Sequence, residues 1–187
     1  HMRIVIEAGL FARRLSPEER GELLALFIAA QKGPHSIEVS PENAPDFLRW
    51  VEEFDPATRE MLRGAVLRGV KARARSRRRF TIHVADVKSA SWKEKRLPLE
   101  VATRIAGQPL TLLLESGINE PAFLQAVSRI QKDFDLERLK KERAVDYRTY
   151  GGIQANWKWL EANAQDPEVA SRHWVLCDSD ARRPWKQ

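Results

Sequence analysis

The order of apolar and polar positions divides the chain into short strands and amphipathic helices. Residues 3–7, Arg-Ile-Val-Ile-Glu, read as a short strand. Ser16-Pro17-Glu18-Glu19 then opens a helix. The Ser16 hydroxyl can accept an amide of the first turn, Pro17 sits where no N–H is needed, and Glu19 can reach back. Leu23, Leu24, Phe27 and Ile28 make an apolar stripe that predicts a helix to about Gln31, and Lys32-Gly33-Pro34 ends it. Ser40-Pro41-Glu42 starts a short helical stretch near residues 45–53. Asp55-Pro56 opens a third helix, whose Met61, Leu62, Ala65 and Val66 are expected to face a core. Residues 80–87 alternate as a strand, and a short helix is expected near residues 99–106. Gly107-Gln108-Pro109 breaks the pattern. A domain boundary there leaves a mixed helix-and-strand region at 1–108 and a second domain at 109–187.

After Pro109 the character changes. "PLTLLLES" is a continuous apolar run that ends in Glu115. "NEPAFLQAVSRIQKDF" is amphipathic, with Phe123, Leu124, Val127 and Ile130 at helical spacing. "AVDYRTYGG" is β-prone and closes on Gly151-Gly152; "IQANWKWLEANA" is a helix with Ile153, Trp157 and Leu160 on one side; "HWVLCDSD" is an apolar strand ending on Asp178 and Asp180. Strand, helix, strand, helix, strand implies an α/β fold with a parallel sheet covered on both faces. In such sheets the functional crevice lies at the carboxyl ends of the strands. If the three strands are neighbours, Glu115, Asp178 and Asp180 meet on one rim. Clustered carboxylates repel unless a cation sits between them, and Mg²⁺ prefers a few carboxylate oxygens plus water. The double glycine would let a phosphate approach that rim.

These residues resemble a known family. Glu115 after an apolar strand, "NEPAFL" opening the next helix, Gly151-Gly152 and Asp178-x-Asp180 look like the TOPRIM domain of topoisomerases, bacterial primases and the OLD (overcoming lysogenization defect) nucleases, most similar to the last. The resemblance covers roughly residues 109–181. It implies that Glu115, Asp178 and Asp180 coordinate Mg²⁺ (or Mn²⁺) for phosphodiester cleavage, and that Glu120 matches the second acid of the first motif. Five residues separate Glu115 from Glu120 where the family usually has four, and Ser116 stands where glycine is usual. A TOPRIM domain continues with a further helix and strand after Asp-x-Asp, so the resemblance also implies elements beyond Gln187. No Gly-x-x-x-x-Gly-Lys ATP-binding loop precedes residue 109.

Charge adds a second feature. The net charge is +6, yet residues 61–85 alone hold Arg63, Arg68, Lys71, Arg73, Arg75, Arg77, Arg78 and Arg79 with no acid, so the rest of the chain is acidic overall. Arg68, Lys71, Arg75 and Arg78 fall on one helical face, a stripe suited to phosphate backbones. Arg79 extends it, and Arg182 or Arg183 is placed to neutralise a scissile phosphate. Hydrophobic content of 43% and charged content of 31% fit a soluble protein, and no run of 18 apolar residues offers a membrane span. The lone Cys177 forms no internal disulfide and reads as a buried hydrophobe. With no secretory leader, the cytoplasm is the expected compartment. Of the six tryptophans, Trp50, Trp157, Trp159 and Trp174 read as core or half-buried, and Trp92 and Trp185 as the candidates for base stacking. A weaker pattern, Asp86 with Glu94 and Lys88 or Lys95, resembles that of restriction-type nucleases.

Two functions follow from the sequence. The first is a Mg²⁺-dependent nuclease, with DNA rather than RNA as the expected substrate, in an anti-phage defence setting by analogy with OLD systems. The second is a non-catalytic module that binds nucleic acid or docks to an ATPase partner. Asp178-x-Asp180 has a plainer reading too, as a turn with a helix cap.

Overall fold

The computed structural model describes residues 2–7, 9–32, 35–75, 80–130 and 135–176. The chain divides into two compact units, His1–Gly107 and Gln108–Gln187. Each is an α/β unit built on a parallel sheet.

The first unit runs β1 (Met2–Ile6), α1 (Pro17–Lys32), β2 (Ser36–Val39), a 3-10 turn (Pro41–Asn43), α2 (Ala44–Val51), α3 (Pro56–Arg75), β3 (Phe80–Val84), β4 (Arg96–Leu97) and α4 (Leu99–Gly107). Strand order is β2-β1-β3-β4, all parallel. The helix starts follow their local chemistry. Ser16 Oγ accepts the Glu19 amide at 3.2 Å while a Glu19 carboxylate oxygen accepts the Ser16 amide at 2.8 Å, a reciprocal cap. Asp55 Oδ1 accepts the amides of Ala57 and Thr58 at the start of α3.

Side chains alternate across this sheet. Met2, Ile4, Ile6, Ile82, Val84 and Leu97 are buried in a core completed by Leu23, Leu26 and Phe27 of α1 and by Ala102 and Ile105 of α4. Phe11, Phe47, Trp50 and Phe54 extend it as an aromatic cluster. Arg3, Val5, Thr81 and His83 take the alternate positions and are half-buried. Glu38, buried on the edge strand β2, is matched by Arg3 through two hydrogen bonds of 2.7 Å, which offsets the cost of removing a carboxylate from water.

The second unit runs β5 (Leu110–Leu113), α5 (Asn119–Ile130), α6 (Leu136–Lys141), β6 (Val145–Arg148), α7 (Ile153–Ala162), α8 (Pro167–Arg172) and β7 (His173–Val175). Its parallel order is β6-β5-β7, so the first strand again lies between the next two. The expected alternation of strands and helices is present, with α6 and α8 as additions. Burial differs from expectation in two places. Phe123 and Ile130 are 66% and 81% exposed: α5 packs against α6, and Ser128 is the one residue of the helix that is buried. Trp174, expected to be buried or half-buried, is 59% exposed; it shares its sheet face with Leu112 and Tyr147, which are only half-buried, so this face is incompletely covered. Among the described residues no helix is long and apolar enough to cross a membrane.

Candidate functional site

The carboxyl edge of the second sheet is assembled by three short segments. β5 leads into Leu114-Glu115-Ser116, β6 into Thr149–Gly152, and β7 into Leu176. The register sets Leu113 beside Arg148 on one side and Val175 on the other, so all three strands end level. Asn156 in the first turn of α7 ties two of these exits together. It is fully buried (0% exposed), donates to the Leu114 carbonyl at 2.8 Å, and accepts the Tyr150 amide at 2.8 Å. Thr149 Oγ1 donates to the Glu115 carbonyl at 3.3 Å and completes the link.

Glu115 lies on this edge with its side chain exposed. Glu120 is drawn into the helix start: Ser116 Oγ accepts the amides of Ile118 and Asn119 at 3.2 Å, and Glu120 Oε2 accepts the Ser116 amide at 2.6 Å. One Glu120 oxygen is therefore already engaged in capping α5. Gly151 and Gly152 have φ of 101° and 105°, a region that L side chains rarely enter. A Cβ at either position would meet nothing within 4 Å, so the turn needs glycine for its torsions, and it borders open space. Asp178, Asp180, Arg182, Arg183, Cys177 and Trp185 lie outside the described residues. Among the described residues no three His, Cys, Asp or Glu side chains are grouped to hold a metal ion.

A cation that sequence reasoning passed over, Arg148, stands on the same edge. It is paired at 3.4 Å with Asp146, two residues before it, and hydrogen bonds to Tyr150 and Asp146 hold its guanidinium charged. Only its position at the end of a strand could have singled it out. His173 opens β7 at the other end of the sheet, where burial pushes its pKa down; its ring packs 5.0 Å from Trp159.

In the first unit, the basic run on α3 is partly neutralised by acids distant in sequence. Arg63 pairs with Glu52, and Arg73 lies 3.7 Å from Glu38. Arg68 and Lys71 are exposed and have no carboxylate partner among the described residues. The side chain of Arg75, and all of Arg77, Arg78 and Arg79, lie outside the described residues. Trp92 packs its ring 5.4 Å from Phe80 and against the core, a structural use for a residue considered for base stacking. Asp86, of the restriction-type pattern, is held by Arg13 at 3.2 Å, Lys95 lies over the Phe80 ring, and β4 runs parallel to β3, with a single antiparallel bridge, Ser91 to Arg96, closing the turn that carries Glu94.

The carboxyl edge of the first sheet carries its own polar network. Glu7, just past β1, receives Arg96 Nε at 2.9 Å and lies 3.0 Å from His83 Nδ1. Arg13 bridges Glu19 and Asp86. Its guanidinium, followed by the Ser16 amide, holds the Glu19 carboxyl down to about 2, from an ordinary value of 4.5. A lowered carboxyl binds fewer protons folded than unfolded, so its contribution is fully present above pH 4.5 and lost as pH falls toward 2. Both partners are part-exposed, so the contribution is about 1 kcal/mol at most. Urea unfolding of wild type and Arg13→Gln should show a stability difference at pH 6 that closes by about pH 2; a difference that stays constant over that range would overturn the assignment.

Comparison with known proteins gives no relative: no family model matches the chain, and neither a characterised protein nor a solved structure matches it.

Proposed function

We propose that the second unit is a TOPRIM-like domain that cleaves phosphodiester bonds with the help of Mg²⁺ or Mn²⁺. One observation carries the reading: β5 lies between β6 and β7, and all three are parallel, so the chain leaves them on a common edge. Glu115 is on that edge, and Asp178 and Asp180 follow closely on β7 in the chain. The donor set is all carboxylate, which suits a hard divalent ion, and no hydrogen bond or ion pair among the described residues engages the Glu115 carboxylate. Glu115, Asp178 and Asp180 would hold the ion, which supplies an acidified water and charge neutralisation at phosphate. Arg148 offers a fixed guanidinium to a phosphate oxygen, with Arg182 and Arg183 as further candidates. Glu120 serves mainly to fix the start of α5 behind Glu115. Contacts of this kind read phosphate and not base, so little sequence preference is expected.

A second reading, nucleic-acid binding without cleavage, is favoured by the exposed Arg68 and Lys71 on α3. One experiment separates the two. Melting curves with and without Mg²⁺ or Mn²⁺, and nicking of supercoiled plasmid, are compared for wild type, Glu115→Gln, Asp178→Ala and a distant control, Glu142→Gln. The nuclease reading expects a metal-dependent rise in Tm and nicking in wild type and the control, and neither in the two site variants. Plasmid binding without metal response or nicking leaves the binding reading alone.

A further inference from the structure

The first unit contains a cavity of about 420 Å³ between the loop after β1 and helix α2. Its volume falls in the range of roughly 300–1,000 Å³ usual for small organic ligands. Both bordering segments follow sheet strands at their carboxyl ends, where parallel α/β sheets bind ligands. The lining is unusual in charge. Arg13 and Arg14 come from the loop, Arg20 from α1 and Arg49 from α2, against two lining acids, Asp46 and Glu53. Phe11, Leu15 and Trp50, core residues with only their edges exposed, form a small apolar wall at its base.

We propose that this cavity binds a phosphorylated small molecule of nucleotide size, with the arginines on its phosphates and the rest of the ligand against the Phe11–Trp50 wall. Guanidinium forks match phosphate oxygens two at a time, and four of them from three separate segments border this cavity. Arg14 is exposed and has no carboxylate partner among the described residues. Arg20 pairs with Glu53 and Arg49 with Asp46, but these pairs are at least partly open to solvent, and such pairs rearrange at modest cost. Arg13 is the fixed member, held by Glu19 and Asp86 from outside the cavity lining. An inorganic anion alone would fill only a small part of a cavity of about 420 Å³, which is why an organic phosphate fits better. The proposal stands on the first unit alone and does not rest on the nuclease reading.

The test uses the full chain. Thermal melts and equilibrium dialysis are run at constant ionic strength with ADP, GDP, CDP and UDP, with inorganic phosphate, with adenosine, and with a short single-stranded oligonucleotide. At least one nucleoside diphosphate should bind saturably and raise Tm by about 4 °C or more at high ligand excess. Inorganic phosphate should bind more weakly and adenosine not at all. Arg14→Glu and Arg49→Glu, both solvent-facing changes that leave the core intact, should each weaken binding about tenfold or more. Lys71→Glu, outside the cavity, should leave it unchanged. The proposal fails if no diphosphate binds saturably, if adenosine matches ADP, if the arginine variants bind as wild type does, or if only the oligonucleotide shows arginine-dependent binding.

Discussion

Replacing Gly69 with alanine should unfold the first unit roughly 10 °C earlier, whereas the same change at Gly64, five residues before it on α3, should leave the unit as stable or more so. At Gly69 the helix lies directly on the backbone of the edge strand β2. A Cβ there would fall 1.9 Å from the Ile37 carbonyl oxygen and 2.8 Å from its carbon. Both are backbone atoms in a hydrogen-bonded strand, so the helix must lift away as a body. That movement strains the packing of Leu62 and Ala65 and pulls Arg73 from Glu38. Forced overpacking of this kind costs about 3 kcal/mol or more, and alanine recovers only about 1 kcal/mol of helix propensity. At Gly64 the new methyl would meet a single atom, the flexible Arg68 Nη1, at 3.4 Å. Only the propensity gain remains there. Thermal melts of the two variants decide the matter, and equal shifts would mean that α3 does not sit on β2 as described.

That contrast shows where sequence reasoning reaches and where it stops. Gly64 and Gly69 are indistinguishable in a string, because close approach is a property of the strand lying under one of them. Signals confined to a few residues read well: Ser16 with Glu19 and Asp55 with Pro56 open helices where their capping chemistry says they should. Strand β2 escaped notice because it has four residues, one of them Glu38, and its carboxylate is tolerable inside because Arg3 and Arg73, each 35 positions away, pair with it. The same limit applies to exposure. Phe123 and Ile130 are apolar at helical spacing and Trp174 sits in an apolar strand, which predicts covered faces; whether a neighbour covers them depends on tertiary packing, and here all three are exposed.

The candidate site divides along the same line. That strands end on acids and glycines is visible in the letters, and so is the alternation of strands and helices that implies parallel pairing. That β5 is the central strand is not visible, and on it depends whether Glu115 stands next to the segment leading to Asp178. Glu120 illustrates the reverse. A motif comparison makes it a ligand candidate, while the geometry spends one of its oxygens on the Ser116 amide. Asn156 drew no attention at all, since a single asparagine early in a helix has no signature, yet it holds the exits of β5 and β6 together.

Asn156 therefore supports the second large prediction. Asn156→Ala should destabilise the second unit by about 2–4 kcal/mol, since it removes a donor from the Leu114 carbonyl and an acceptor from the Tyr150 amide at a fully buried position. Asn156→Asp is more informative. At neutral pH its carboxylate can still accept from Tyr150 but has nothing to donate to Leu114, and burial disfavours its charge. Once protonated, its hydroxyl restores the missing donor and reproduces the asparagine pattern. The folded-state pKa of this aspartate should thus lie above the unfolded value, so the folded state binds the extra proton and stability falls as pH rises between the two. Asn156→Asp should accordingly resemble alanine at pH 8 and approach wild type near pH 4, whereas Asn156→Ala should show no such recovery. Urea unfolding of the three proteins across that range is the measurement. If the aspartate variant tracked alanine at every pH, the paired hydrogen bonds that join β5 to the Thr149–Gly152 turn would not be what holds this edge in place.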